Sequence, residues 1–352
     1  MTDDPRSPKR PRLSVSPRAI LIVSPGDSSG SESDAAGEEK YTRDLDFWLD
    51  DGNLILLAGR SAFRVYRGLL VKNSPVFADM FTTGSAGATE TFDNCPVVRL
   101  ADHPQNLRDF LQYLMPCSAL VLVEEVPECR FEQLHAAFHL AHKYQCQDVE
   151  ARILFVLKKF YTSNFNDHDR YATSKYTLVP PPPQAAIAAV NIARLTSTLS
   201  MLPFALYLVC TLEGRAVDGY ERRDGSAEHL SAEDLKLCMN ARGTLAWELA
   251  ALTKTVFSST EYPSLQCMHP DSCVVAEDTM FCETQESVPG GCDVLESYRE
   301  SVDEWAKAYG MCKGCKRKLL ARDREERRKM WIKLPGVFGF TVQACGFTNV
   351  DE

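Results

Sequence analysis

The sequence lacks the features that mark membrane and secreted proteins. Its longest charge-free apolar stretch, residues 195–212, contains Pro203 and several hydroxyl side chains. This stretch therefore predicts buried helices rather than a membrane span. The first apolar cluster, residues 19–23, is too short for a secretory signal, and no Asn-x-Ser/Thr glycosylation site occurs. We expect an intracellular protein, in the nucleus, the cytoplasm or both.

Motifs of the common enzyme classes are also missing. The sequence has no P-loop, no Gly-x-Gly-x-x-Gly, no His-Glu-x-x-His and no kinase motif. His135, His139 and His142 lie on one face of a predicted helix, at a spacing that suits a metal. Because the sequence places no acidic ligand beside them, we interpret them as a polar stripe. We predict that the protein is not an enzyme.

The charge balance argues against a protein that wraps nucleic acid over its whole surface. The 352 residues include 39 Lys and Arg against 48 Asp and Glu, for a net charge of -9. One local exception is the segment 313–329, which has nine basic and three acidic residues on a predicted helix. Because the acidic residues are interleaved, an ion-paired surface is favoured over a nucleic-acid site.

The first 40 residues have the composition of a disordered arm. They contain no Phe, Trp or Tyr and are dense in Ser, Pro, Gly and charge, so they cannot bury enough apolar surface to fold. Within this arm Lys9, Arg10 and Arg12 form a basic cluster between prolines, which is typical of a nuclear-import segment. The alternative is a solvated basic tail.

Serines followed by proline surround that basic cluster. They are Ser7, Ser16 and Ser24. A phosphate added at these positions brings negative charge close to the arginines. Phosphorylation that regulates nuclear import is therefore a hypothesis that the sequence supports.

The 13 cysteines, an odd number in a chain too long to need disulfides, indicate reduced thiols. Cys312 and Cys315 have the two-residue spacing that lets two thiolates bind one zinc ion, and Cys267 and Cys273 form a looser pair. Together they predict a structural zinc site, with free thiols as the alternative and no other cofactor expected. Three further side chains could compete as ligands: His269, Cys282 and Cys292.

The hydrophobic pattern predicts an α+β fold. Strand patterns at 53–58, 63–65 and 96–100 come early, and helical spacing dominates afterwards, which indicates a small sheet flanked by helices and then a helical domain. Four consecutive prolines, 180–183, indicate an extended linker. We predict five segments: a disordered arm (1–40), a mixed domain (41–162), a linker (163–184), a helical C-terminal domain (185–345) and a tail (346–352).

Four runs in the predicted mixed domain resemble a BTB/POZ domain. They are Phe47-Trp-Leu-Asp-Asp-Gly-Asn-Leu-Ile-Leu56, Phe63-Arg-Val-Tyr-Arg-Gly-Leu-Leu70, Lys72-Asn-Ser-Pro-Val-Phe-Ala-Asp-Met-Phe81 and Pro96-Val-Val-Arg-Leu-Ala-Asp102. The resemblance covers residues 41–162. The whole chain, with its proline linker and residues 334–339, is similar to the BTB-domain proteins of mushroom-forming fungi.

This resemblance implies a protein-interaction module. BTB domains form homodimers through the first strand and helices, or recruit partners such as a cullin scaffold of ubiquitin ligases. Phe47, Trp48 and Leu49 precede the first buried strand and are candidate interface residues, the alternative being that Trp48 packs on its own domain. Cullin binding stays open, because Ala88 stands where cullin-binding members tend to carry a bulky apolar anchor.

We therefore expect an adaptor that dimerises or recruits a protein partner. The alternative function is a nuclear, DNA-associated transcriptional regulator that uses the basic arm and the helix 313–329. We expect no membrane partner, and the acidic total disfavours nucleic acid as the main partner.

Overall fold

The computed structural model describes residues 20–25, 39–83, 90–115, 130–171, 179–257, 267–287 and 291–347. The chain divides into two compact units. The first comprises residues 1–123 and 136–150, and the second comprises residues 124–135 and 151–352. This division assigns 151–162 to the second unit, whereas the sequence predicted one domain over 41–162.

The first unit contains a six-stranded sheet with the strand order β1-β2-β4-β3-β6-β5. The pairs β3–β4 and β5–β6 are antiparallel, and the other neighbouring pairs are parallel. The strands are Ile20–Val23 (β1), Glu39–Trp48 (β2), Leu54–Ala58 (β3), Ser61–Val65 (β4), Thr91–Phe92 (β5) and Cys95–Leu100 (β6). The helices begin with Arg67–Asn73 (α1), Pro75–Thr83 (α2) and Pro104–Leu114 (α3), and Phe131–Lys143 (α4) and Gln147–Phe160 (α5) are divided between the units.

The hairpin of β3 and β4 confirms the strands predicted from the early apolar runs. All five residues of β3 are buried, because the strand lies inside the sheet between β4 and β6. Ala58 pairs with Ser61, so the turn consists of Gly59 and Arg60. Gly59 has φ +54°, a conformation that glycine adopts without steric cost.

Ser74 and Pro75 separate α1 from α2 and fix a buried contact. Ser74 is fully buried, and its Oγ accepts a hydrogen bond from the Phe77 amide at 3.0 Å. The same hydroxyl donates to the carbonyl of Tyr144 at 2.5 Å. The Phe77 and Tyr144 rings stack with centroids 4.3 Å apart. This serine therefore caps α2 and ties it to the segment after α4.

Strand β1 corrects the expectation that residues 1–40 are disordered throughout. Ile20–Val23 pairs in parallel with the start of β2, and Ile22 is buried beside Tyr41 in the core of the sheet. Four consecutive branched aliphatic residues have high β propensity, and packing on a neighbouring strand gives them a buried face. The β propensity of these four residues was missed because the prediction used the average composition of residues 1–40.

The second unit is mainly helical, as the sequence predicted. Its apolar helix α8 begins at Leu202, with Pro203 in the first turn, and ten residues are too few to cross a bilayer. None of the helices in the described residues combines the length and apolar character that a membrane span needs. The remaining elements are Phe165–Tyr171 (α6), Ala185–Leu195 (α7), Leu202–Thr211 (α8), a short 3-10 helix (Glu213–Val217), Tyr220–Glu221 (β7), Ala227–Glu228 (β8), Ala232–Phe257 (α9), Pro270–Ser287 (α10), Arg299–Ala308 (α11) and Lys313–Val337 (α12).

Helix α6 lies inside the predicted linker 163–184 and is anchored to α12. Asp169 accepts hydrogen bonds from Arg324 and Arg327, each at 2.9 Å. The buried Trp331 donates its indole N–H to the carbonyl of Ser163 at 3.2 Å. These contacts come from residues more than 150 positions away, so the local sequence gave little sign of them. The prolines themselves lie outside any helix or strand.

The mixed architecture with a helical C-terminal part is confirmed. A capping box begins α9, since Ser231 Oγ accepts from the Asp234 amide and donates to its carboxylate, both at 3.0 Å. The identification of the first unit as a BTB/POZ fold stays a prediction.

Candidate metal centre

The four cysteines of the predicted zinc site meet at the starts of two helices in the second unit. Cys267 lies just before α10 and Cys273 lies in its first turn. Cys312 is the N-cap residue of α12, and Cys315 lies in the first turn of that helix. The two pairs of thiols lie at least 39 residues apart along the chain, so only the packing of α10, α11 and α12 brings them together.

The sulfur atoms have the spacing of a tetrahedral thiolate site. The Sγ of Cys267 lies 3.6 Å from that of Cys273 and 3.8 Å from that of Cys312. All four sulfurs lie within 4.8 Å of one another. A zinc ion with four Zn–S bonds of about 2.3 Å requires sulfur separations of about 3.8 Å. A disulfide needs about 2.05 Å, so these cysteines are free thiols held at ligand distance.

Backbone amides point at the sulfurs and favour their charged form. The Cys315 N–H donates to the Sγ of Cys312 at 3.4 Å, and the Cys312 N–H donates to the Sγ of Cys273 at 3.4 Å. The Cys315 amide lowers the pKa of Cys312 to about 7. Burial raises the pKa of Cys273, which therefore favours a proton unless a cation is near.

The four cysteines of the centre differ in their exposure to solvent. Cys273 and Cys315 are buried, whereas Cys267 and Cys312 are half-buried. Four sulfur ligands at these separations suit a single zinc or iron ion, since both bind soft thiolates in tetrahedral geometry. The arrangement leaves no open ligand position of the kind that catalytic zinc needs.

The competing ligands named from the sequence do not belong to this cluster. His269 is exposed and is not among the four clustered side chains. Cys282 is exposed on α10, and the buried Cys292 donates to the carbonyl of Cys210 at 3.3 Å. The sequence alone could not decide between these ligands, because all of them lie near the cysteine pairs along the chain.

His135 is not part of a solvated polar stripe, which corrects the prediction for that face of α4. It is buried, and its Nε2 lies 2.8 Å from the carboxylate of Glu228. Arg222 and Asn191 also donate to this carboxylate, each at 2.8 Å. The acidic partner was missed because it lies 93 residues further along the chain.

The predicted interface residues divide between core and surface. Phe47 is buried in the first unit, and Trp48 is half-buried against the sheet core with Arg43 stacked on its ring. Leu49 is half-buried. Phe47 is therefore buried where an exposed aromatic side chain was expected, although a role for these residues at an interface stays a prediction. The more exposed apolar side chain is their neighbour Leu45, at 76%.

The basic segment 313–329 forms most of α12 and is paired with acidic residues. Lys316 binds Asp303 at 2.6 Å, and Arg322 contacts Glu277. Other pairs within the described residues are Arg324–Asp169, Arg327–Asp323, Arg328–Glu325 and Lys329–Glu326. This pairing supports the ion-paired interpretation of the helix. The candidate import residues Lys9, Arg10 and Arg12 lie outside the described residues.

Comparisons with known proteins do not identify the chain. No known protein family matches it, and no curated protein matches it either. The resemblance to BTB/POZ domains therefore rests on the sequence runs given above.

Proposed function

We propose that this protein is an adaptor whose first unit binds another copy of the same chain through the outer strands of its sheet. The observation that carries this proposal is a pair of exposed leucines on those strands. Leu45 on β2 is 76% exposed and Leu21 on β1 is 42% exposed. Large apolar side chains that face water next to a sheet edge favour association with another polypeptide.

The geometry of the edge supports the same proposal. Strand β1 has only four residues and is the outermost strand, so the backbone groups on its outer side have no partner within the sheet. The resemblance to BTB domains implies homodimers formed through the first strand. Burial of leucines from two copies contributes about 25 cal/mol per Å² of apolar surface removed from water.

Light scattering on the full chain tests this function. We expect the wild type to have twice the monomer mass of 39.3 kDa, and Leu45→Asp to reduce this to the monomer mass. Val217→Asp is the matched control, because Val217 is also an exposed apolar side chain, at 52%, but lies in the second unit. A wild type that stays monomeric at all concentrations, or a Leu45→Asp variant that stays dimeric, contradicts the proposal.

We propose in addition that the four-cysteine centre of the second unit binds a structural zinc ion. Its support is the spacing of the sulfurs, which matches a tetrahedron of thiolates around zinc. Bound zinc would neutralise the thiolates and hold the start of α10 against the start of α12. An ion with four protein ligands serves to stabilise the fold, not to activate water.

Metal analysis of the purified full chain tests the zinc site. We expect about one zinc ion per chain in the wild type, and less than about a tenth of an equivalent after Cys312→Ser with Cys315→Ser. The matched control is Cys282→Ser, since this exposed thiol lies on the same helix as Cys273 but outside the cluster. Loss of zinc in the control, or none in the wild type, contradicts the assignment, and iron in place of zinc indicates an iron–sulfur site.

A further inference from the structure

Two Ser-Pro serines lie within the described residues, and they differ in access. Ser74 is fully buried and uses its hydroxyl in two hydrogen bonds. Ser24 follows directly after β1 and is half-buried, and the adjoining Pro25 is exposed. A proline-directed kinase can therefore reach Ser24 but not Ser74.

Continuing the register of β1 and β2 by one residue beyond the ladder brings Ser24 opposite Arg43. Val23 of β1 pairs with Thr42 of β2 in a parallel ladder, so the next residues along the two segments are Ser24 and Arg43. Ile22 and Tyr41 are buried together on one face, and side chains alternate along a strand, so Ser24 and Arg43 share that face. Neighbouring strands lie about 4.8 Å apart, well within the reach of an arginine side chain.

Arg43 is a cation that lacks an anion. Within the described residues it forms no ion pair, and its Nε is buried without a hydrogen-bond partner. Its guanidinium group lies 4.6 Å from the centroid of the Trp48 ring, which holds it in place. The neighbouring Asp44 is already paired with Arg108 at 3.1 Å. A buried donor of this kind gains from an acceptor, and a phosphate offers several oxygens.

We propose that Ser24 is a phosphorylation site and that its phosphate binds Arg43, fastening β1 to β2. A proline-directed kinase would transfer the γ-phosphoryl group of ATP to Ser24 Oγ. The new bond joins Oγ to phosphorus, the bond from phosphorus to the β–γ bridging oxygen breaks, ADP leaves, and the hydroxyl proton passes to the base of the kinase. This phosphorylation does not depend on the adaptor function, because it involves only Ser24 next to β1 and Arg43 on β2.

Fastening β1 has a structural consequence for the sheet. With β1 in place the outer edge of β2 is covered at Glu39–Thr42, and without it the backbone groups of these four residues are open to other chains. The phosphate therefore sets how often that edge is exposed. This effect differs from the control of nuclear import proposed for the same arm, because it acts on a strand and not on the basic cluster.

Hydrogen exchange on the full chain tests the proposal. Ser7→Ala and Ser16→Ala leave Ser24 as the accessible Ser-Pro serine, and a proline-directed kinase with ATP is then applied, with the site confirmed by mass spectrometry. We expect phosphorylation to slow amide exchange in Ile20–Val23 by about tenfold or more, the factor that one charge-assisted hydrogen bond contributes. Arg43→Gln should abolish this slowing, and Arg43→Lys should keep part of it.

Three outcomes would overturn the proposal. They are a kinase that leaves Ser24 unmodified, exchange that stays equal or becomes faster after phosphorylation, and slowing that persists in Arg43→Gln. Exchange in Leu54–Ala58 shows whether the Arg43 variants fold, because that strand is fully buried and distant in the sheet order. If Arg43→Gln does not fold, Arg43→Lys decides the matter, and equal exchange with and without phosphate in that variant counts against the proposal.

Discussion

The two units of this protein are stabilised in different ways. The first is built around a sheet in which β3 is buried along its whole length and apolar side chains of four further strands pack in the core. The second relies in addition on a few polar contacts between distant helices, namely the four-cysteine centre and the charged residues that join α6 to α12. The first unit therefore depends on apolar packing, whereas the second depends in addition on contacts between a few polar residues that are distant in the chain.

Metal removal should have the largest effect and should affect one unit only. Treatment of the full chain with a zinc chelator is expected to reduce the free energy of unfolding of the second unit by at least about 5 kcal/mol, because structural zinc contributes directly to folding. Hydrogen exchange should rise in α10 and α12 and stay unchanged in β3. Equal loss of protection in both units would mean that they do not differ as described.

The Phe77→Ala substitution should destabilise the first unit and leave the second unit unchanged. Phe77 is fully buried against Tyr144, so its truncation leaves a cavity and is expected to destabilise the first unit by about 3–5 kcal/mol. Val71→Ala is the control, because Val71 is 37% exposed on α1. Denaturant unfolding followed by exchange in β3 and α12 measures each unit, and a change confined to α12 would refute the prediction.

Two arginines of α12 that contact Asp169 provide a matched pair. The side chain of Arg327 is 5% exposed, whereas that of Arg324 is 45% exposed. Arg327→Met leaves the buried Asp323 without its counter-charge and is expected to cost about 3 kcal/mol. Arg324→Met should cost less than about 1 kcal/mol, since water screens that pair. Equal losses in thermal or denaturant unfolding would show that burial does not decide the difference.

A pH-dependent effect is expected from one buried histidine. His168 packs between Phe204 and Trp331, with ring centroids 4.8 Å from each, and burial, aided by Arg327, lowers its pKa to about 4. The unfolded chain binds this proton near pH 6.5, so the second unit loses stability as the pH falls from about 6.5 to about 4. The loss is of the order of 3 kcal/mol at the lower end and is absent above about pH 7.

Replacing the histidine isolates this contribution. His168→Phe should flatten the dependence of unfolding on pH between about 6.5 and about 4, whereas the exposed His229→Gln should leave it as in the wild type. An unchanged slope in His168→Phe would assign the acid sensitivity to other groups.

Local patterns predicted much of the first unit. The apolar run of β3, the glycine at the turn and the Ser-Pro break between α1 and α2 each act within a few residues, so the sequence reveals them directly. The pairing of β1 was missed, because a four-residue strand carries weak information until a neighbouring strand gives it a buried face.

The second unit was less predictable wherever contacts join distant residues. Helix α6 has seven residues, and charged residues of α12 hold it in place. Helix α10 is largely polar, and the hydrophobic pattern did not predict it as a separate helix. Its packing depends on the contacts of Glu277 with Arg322 and of Glu283 with Tyr309. These partners lie 26 or more positions away, beyond the range of helical periodicity.

The amino-acid sequence alone determined most of the helix and strand pattern and the close spacing of Cys312 and Cys315 along the chain. These properties depend on composition and on neighbours within a few residues. Only the tertiary structure decided that Cys267 and Cys273 join that pair, that His135 meets Glu228, and that the Nε of Arg43 is buried without a hydrogen-bond partner. Such contacts join residues that are distant along the chain, and the packing of the whole unit decides which of these residues meet.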